Sequence, residues 1–227
     1  MIQANNRHTE QFEEIANIST SFLGLFFSLI GFSILISLAT LSKQWLPIIS
    51  SAIYGTTLLL LFMASILYHS SLATDMVHKK AFQVVDHCAI YLLIAGSFTP
   101  MGLITLREHG GLYLLAFLWI TAFVGCLHKI FFPISSEIPS TLAYIAMGWS
   151  LIFVIKPMWA TMDHWGVCLI ILGGLFYTVG SIFYVFDHKF KLAHAIWHFF
   201  VLGGSVAHYL AILLYVTPGS IQTLAWG

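Results

Sequence analysis

Charge is what this chain of 227 residues has least of: nine Lys and Arg with nine Asp and Glu make it only 8% charged, against about 25% in an ordinary soluble domain. Hydrophobic residues make up 59% and the mean hydropathy is +0.91, so a water-soluble fold is excluded. The formal net charge is zero, and without a basic patch or nucleic-acid motif the sequence offers no nucleic-acid-binding surface. Cysteine is scarce and odd in number: Cys88, Cys126 and Cys168 stand alone inside apolar runs. They read as small packing residues rather than a disulfide or metal framework. No cleavable leader is expected, because the first apolar run, 22–41, is too long for a signal-peptide core and follows a segment with three acidic residues and one arginine. That run is expected to remain in the protein.

Apolar runs of membrane-crossing length are present throughout. A helix needs about 20 apolar residues to cross the hydrocarbon core, and backbone in lipid must be helical or part of a closed barrel. Reading the runs against their charged and proline breaks predicts an all-α, seven-transmembrane helix bundle forming a single membrane domain over 1–227, with spans at 21–41, 47–69, 82–103, 112–132, 140–158, 165–186 and 192–216. The connections are short, so the activity is expected within the bundle. Gly24, Gly31, Gly173, Gly174, Gly203, Gly204 and Ser205 are placed to let helix backbones approach closely.

With the amino terminus in the cytoplasm, the inner side holds Arg7, Lys79, Lys80, Lys129, Lys189 and Lys191, and the outer side holds Lys43, Arg107 and Lys156. This bias predicts a cytoplasmic amino terminus and an outer carboxyl terminus. Before the first span, Glu10, Phe12, Glu13, Ile15, Ala16 and Ile18 suit a short amphipathic helix on the membrane surface or an extension of the span itself.

The chemistry concentrates at the start of the last span, where His194 and His198 lie four apart. On a helix their rings project from one face, about 5–6 Å apart at Cβ, so both can reach one metal ion. His69 ends the second span and Asp86 and His87 begin the third, at the same predicted depth. Asp inside a membrane segment is costly and normally faces the bundle interior or a polar cavity. This set predicts a zinc site with ligands His69, His194 and His198 and an open fourth position. Catalytic roles fall to Asp86, as proton acceptor, and to Ser65, one turn deeper than His69, as a donor to the nucleophile or to a developing oxyanion. The alternative is a buried polar network that only packs helices, in which every polar group must find a protein partner.

His87 is placed either to donate beside Asp86 or to sit at a helix interface. His208, about 15 Å farther along the last helix, cannot reach the same ion. His8, His78, His109, His128, His164 and His188 fall in loops or at their edges and are expected to meet water.

The pieces EEIANIS at 13–19, SILYHS at 65–70, VDHCAIYLLIAGSFTP at 85–100 and HAIWHFFVLGGSVAHY at 194–209 together resemble the hemolysin III family. That family is the bacterial branch related to the progestin and adipoQ receptors and, more distantly, to the alkaline ceramidases. The resemblance implies a seven-helix fold with a zinc site toward the cytoplasm, ligands at His69, His194 and His198, and Asp86 and Ser65 holding water at the metal. One departure is visible: where the family often has a Thr-His pair after its EE-x-AN element, this chain has Thr20-Ser21. The expected protein is a multi-pass protein of the bacterial inner (cell) membrane, with membrane lipids as partners and Zn2+ as cofactor. Two activities are open: hydrolysis of a lipid amide or ester, or a cytolytic pore, channel or receptor in which zinc is structural.

Overall fold

The computed structural model describes residues 2–71, 76–132, 137–187 and 189–217, with side chains described from Gln11 onward except at 76–77. These residues contain no strand. Seven helical stretches are long and apolar enough to cross a membrane, and the chain is a multi-pass membrane protein.

Helix α1, Ile2–Leu41, is continuous. At 1.5 Å per residue it is about 60 Å long, twice the hydrocarbon thickness. The segment before the first span is therefore an extension of that span and not a separate surface helix; Glu10 lies outside the described side chains. Its amphipathicity faces opposite to a surface helix: Phe12 and Ile15 are exposed, whereas Asn17 is buried and Glu13 and Glu14 reach partners in the bundle. Carboxylates turn inward here because other helices offer them donors.

Helix α2, Trp45–Ser70, carries Pro47 in its first turn, where a missing N–H costs nothing. Helix α3, Met76–Pro100, runs into a wider π-helical turn at Met101–Thr105. Pro100 cannot donate to the ladder and crowds the preceding turn, which favours such a local adjustment. Helix α4 spans Leu112–Phe131. The fifth crossing is broken: α5, Glu137–Trp149, passes through a 3-10 turn at Ser150–Val154 into α6, Ile155–Thr161. Pro157 explains the break, because its ring clashes with the carbonyl four residues earlier, at Phe153. Asp163 caps α7, His164–Val185, accepting the Trp165 N–H at 2.8 Å. Helix α8, Ala193–Ala211, ends in a π-helical turn at Ile212–Val216.

In the bundle α8 lies between α7 and α1, α2 between α1 and α3, and α4 beside α3, while α5 packs against α3 and α7. Close approach is bought with glycine where α1 meets α2: a Cβ at Gly55 would overlap the ring of Phe32. The alternation of directions brings the start of α1, the end of α2 and the starts of α3, α5 and α8 to one end of the bundle.

Candidate metal centre

His69, in the last turn of α2, and His194 and His198, in the first two turns of α8, form a nearly equilateral triangle at that end. Ring centroids are 5.0 Å apart for His69 and His194, 5.2 Å for His69 and His198, and 5.0 Å for His194 and His198. One ligand atom from each lies within 4.8 Å of the others, and the group can hold a metal ion. The Nε2 atoms of His69 and His198 are 3.3 Å apart. Two nitrogens sharing a tetrahedral metal at 2.0–2.1 Å would be separated by about 3.3–3.4 Å, so this edge already fits. The other two edges both involve His194, the least buried ring of the three, and lie within 4.8 Å.

The opposite nitrogen of each ring is held. His69 Nδ1 lies 2.7 Å from Glu14 Oε2, His194 Nδ1 lies 3.2 Å from Asp187 Oδ2, and His198 Nδ1 lies 3.4 Å from Ser21 Oγ. A ring that donates its Nδ1 proton presents an Nε2 lone pair, and metal-binding histidines commonly carry such a partner. Ser21 Oγ also meets Ser65 Oγ at 2.8 Å. When Ser21 accepts from His198 and donates to Ser65, the Ser65 proton is free to turn elsewhere.

His194 and His198 line one end of an intramembrane cavity of about 140 Å³, together with Ser65 and Asp86. Its walls are otherwise mostly apolar, including Leu61, Phe62, Ile90 and Val201. Among the described residues no side chain hydrogen-bonds the Asp86 carboxylate. Tyr184 and His194 also line a second, more polar cavity of about 230 Å³ that includes Glu137 and Asp187.

The family described as Haemolysin-III related matches residues 9–209. The chain belongs to this family. It is 42% identical over 206 residues to "Hemolysin-3" of Bacillus cereus, covering 91% of this chain and 93% of the relative. It is 41% identical over 206 residues to "Hemolysin-3 homolog" of Bacillus subtilis (strain 168), covering 89% and 94%. A human relative, "Monocyte to macrophage differentiation factor", is 31% identical over 222 residues, covering 94% of this chain and 89% of the relative.

In this haemolysin-III-related chain, three helices deliver what the spacing promised: the histidines meet, and Ser65 and Asp86 share a cavity with two of them. His87 goes to the helix interface. Its Nε2 lies 3.1 Å from the Tyr184 hydroxyl on α7, its backbone carbonyl accepts from Tyr144, and its Nδ1 faces Glu137 at 3.7 Å. His208 is likewise structural, with Nε2 3.1 Å from the Ile170 carbonyl oxygen. His78, His109, His128 and His164 are exposed, while His8 and His188 lie outside the described side chains.

Lys129, counted above among the inner charges, is 1% exposed with Nζ 2.7 Å from Glu137 Oε2. It is an internal ion pair, and removing it changes the lysine and arginine bias from six against three to five against three. The residues that sequence reasoning left without a role are Glu14, Ser21 and Asp187. Two of them carried a signal: Glu14 lies in the EEIANIS piece, and Ser21 is the visible departure from the family pattern.

Proposed function

We propose that this protein is a zinc-dependent hydrolase of a lipid amide or ester, working inside the bundle in a bacterial inner membrane with its amino terminus in the cytoplasm. One observation carries the reading: the histidine triangle stands at an apolar, intramembrane cavity whose wall also holds a carboxylate and a hydroxyl. An acyl chain suits the apolar part, and its carbonyl then sits beside Ser65, Asp86 and the histidines. An all-imidazole set favours zinc over the hard cations, which prefer oxygen.

His69, His194 and His198 hold the ion, which when bound supplies Lewis acidity to water and carbonyl. Asp86 accepts a proton as water oxygen attacks the carbonyl carbon, and returns it to the amine or alcohol as the C–N or C–O bond breaks. Ser65 donates to the oxygen that gains negative charge. The apolar wall keeps bulk water from the rest of the chain.

The test is product formation per zinc-loaded protein over a panel of ceramides, other lipid amides and lipid esters, with wild type and Asp86→Asn compared at equal measured zinc. Turnover by wild type and its loss in the variant are expected. Wild-type-like turnover by zinc-loaded Asp86→Asn rejects the base role. A second reading takes its support from the name of the Bacillus cereus relative, "Hemolysin-3". In a pore or channel, zinc would brace the helices, and ion flux through liposomes without lipid turnover would replace the hydrolase reading.

A further inference from the structure

Two adjacent carboxylates on α1 reach two different ligand-bearing helices. Glu14 Oε2 stands 2.7 Å from His69 Nδ1 on α2. Glu13 Oε1 accepts the backbone N–H of Leu192 at 3.0 Å, immediately before α8 begins. Neighbouring residues on a helix point about 100° apart, which lets one turn toward α2 and the other toward α8. Leu192 has φ 61°, one of two non-glycine residues with positive φ among the described residues. A leucine adopts that conformation only where its surroundings impose it. Its N–H is therefore caught at a constrained point, two residues before His194 and six before His198.

We propose that Glu13 and Glu14 form a clasp through which α1 sets the spacing of the two ligand-bearing helices and thereby retains the metal. The clasp rests on the metal reading above. Glu14 has the more direct part. By accepting the Nδ1 proton of His69 it leaves the Nε2 lone pair facing His198 Nε2, 3.3 Å away. Without that acceptor the neutral ring is free to carry its proton on Nε2 and donate to His198 in place of binding an ion. Glu13 acts on the other side, holding the first turn of α8 so that both its histidines stay level with His69. Both are positioning residues, since neither touches the ion.

The experiment uses the full chain in nanodiscs, with zinc affinity from chelator competition and the visible absorption of cobalt(II) in place of zinc. Unfolding of the metal-free protein is followed in parallel. Glu14→Ala is expected to weaken zinc about 10–100-fold and to shift the cobalt spectrum, with little change in metal-free stability. Glu14→Gln, whose amide oxygen still accepts from Nδ1, is expected to recover part of the loss. Glu13→Ala is expected to weaken zinc as well, and Glu13→Gln to restore it.

Wild-type affinity and an unchanged cobalt spectrum in both alanine variants would overturn the clasp while leaving the metal site standing. Wild-type protein that binds neither metal at the histidines would overturn the metal reading and the clasp together. Where an alanine variant does not fold, Glu14→Met, which keeps the side chain's bulk but accepts nothing from Nδ1, decides alone: wild-type affinity with a wild-type spectrum overturns the proposal, and a weaker site with a shifted spectrum supports it.

Discussion

Replacing His198 and His208 by alanine, one at a time, separates ligation from packing on a single helix. Both lie on α8, about 15 Å apart along its axis, and both make polar contacts inside the bundle. His208 meets the Ile170 carbonyl oxygen, whereas His198 faces His69 at 3.3 Å and Ser21 at 3.4 Å. Each substitution leaves a void and a lost hydrogen bond, so both variants should lose about 2–5 kcal/mol of stability. Zinc separates them. With His198 as a zinc ligand, as proposed, His198→Ala would take the site from three protein ligands to two, whereas loss of a group that merely orients a ligand already costs about 10–100-fold in metal affinity. Loss of the ligand itself should therefore exceed about 100-fold, or about 2.8 kcal/mol at about 1.4 kcal/mol per decade. His208→Ala should leave zinc unchanged. Metal per chain after dialysis against a zinc buffer, with thermal unfolding of the same samples, reads both quantities. Retention of zinc affinity within tenfold by His198→Ala, or an equal loss in His208→Ala, would refute the ligand assignment.

Gly55→Ala should lower the thermal midpoint, since the added methyl overlaps Phe32 and overpacking costs about 1–3 kcal/mol. Gly148→Ala, where a Cβ meets nothing within 4 Å, should be neutral or slightly stabilising. Lys129→Met strands Glu137 and should cost about 1–3 kcal/mol, much of it regained in Lys129→Met with Glu137→Gln; zinc content should not change in either, and equal melting of single and double variants would deny the pair any role. Reporter fusions should place the amino terminus inside and the carboxyl terminus outside; both termini on one side would contradict an odd number of crossings.

The spans and the histidine triangle were legible for a common reason: each rests on a rule that needs only local sequence. Lipid offers no partner for the backbone, so long apolar runs become helices. The four-residue spacing of His194 and His198 puts them on one face whatever surrounds α8. His69 and Asp86 could be set at the same end because their positions within successive crossings fix depth.

Rotation about each helix axis is a different matter. The sequence left the start of α1 as either a surface helix or an extension of the first span and said nothing of where its carboxylates point; the fold turns them inward, where His69 and the Leu192 N–H wait 55 and 179 residues away. Adjacency left His87 either beside Asp86 or at a helix interface; successive side chains on a helix diverge, and the fold takes the second course, against Tyr184. Lys129 was counted among the inner-side charges that set orientation, yet α4 and α5 close over it with Glu137. Local sequence determined the helices, their depth and the histidine pair, because hydropathy and helical period act within one segment. Tertiary structure alone decided which polar group meets which, because that choice depends on how helices distant in sequence are turned toward one another.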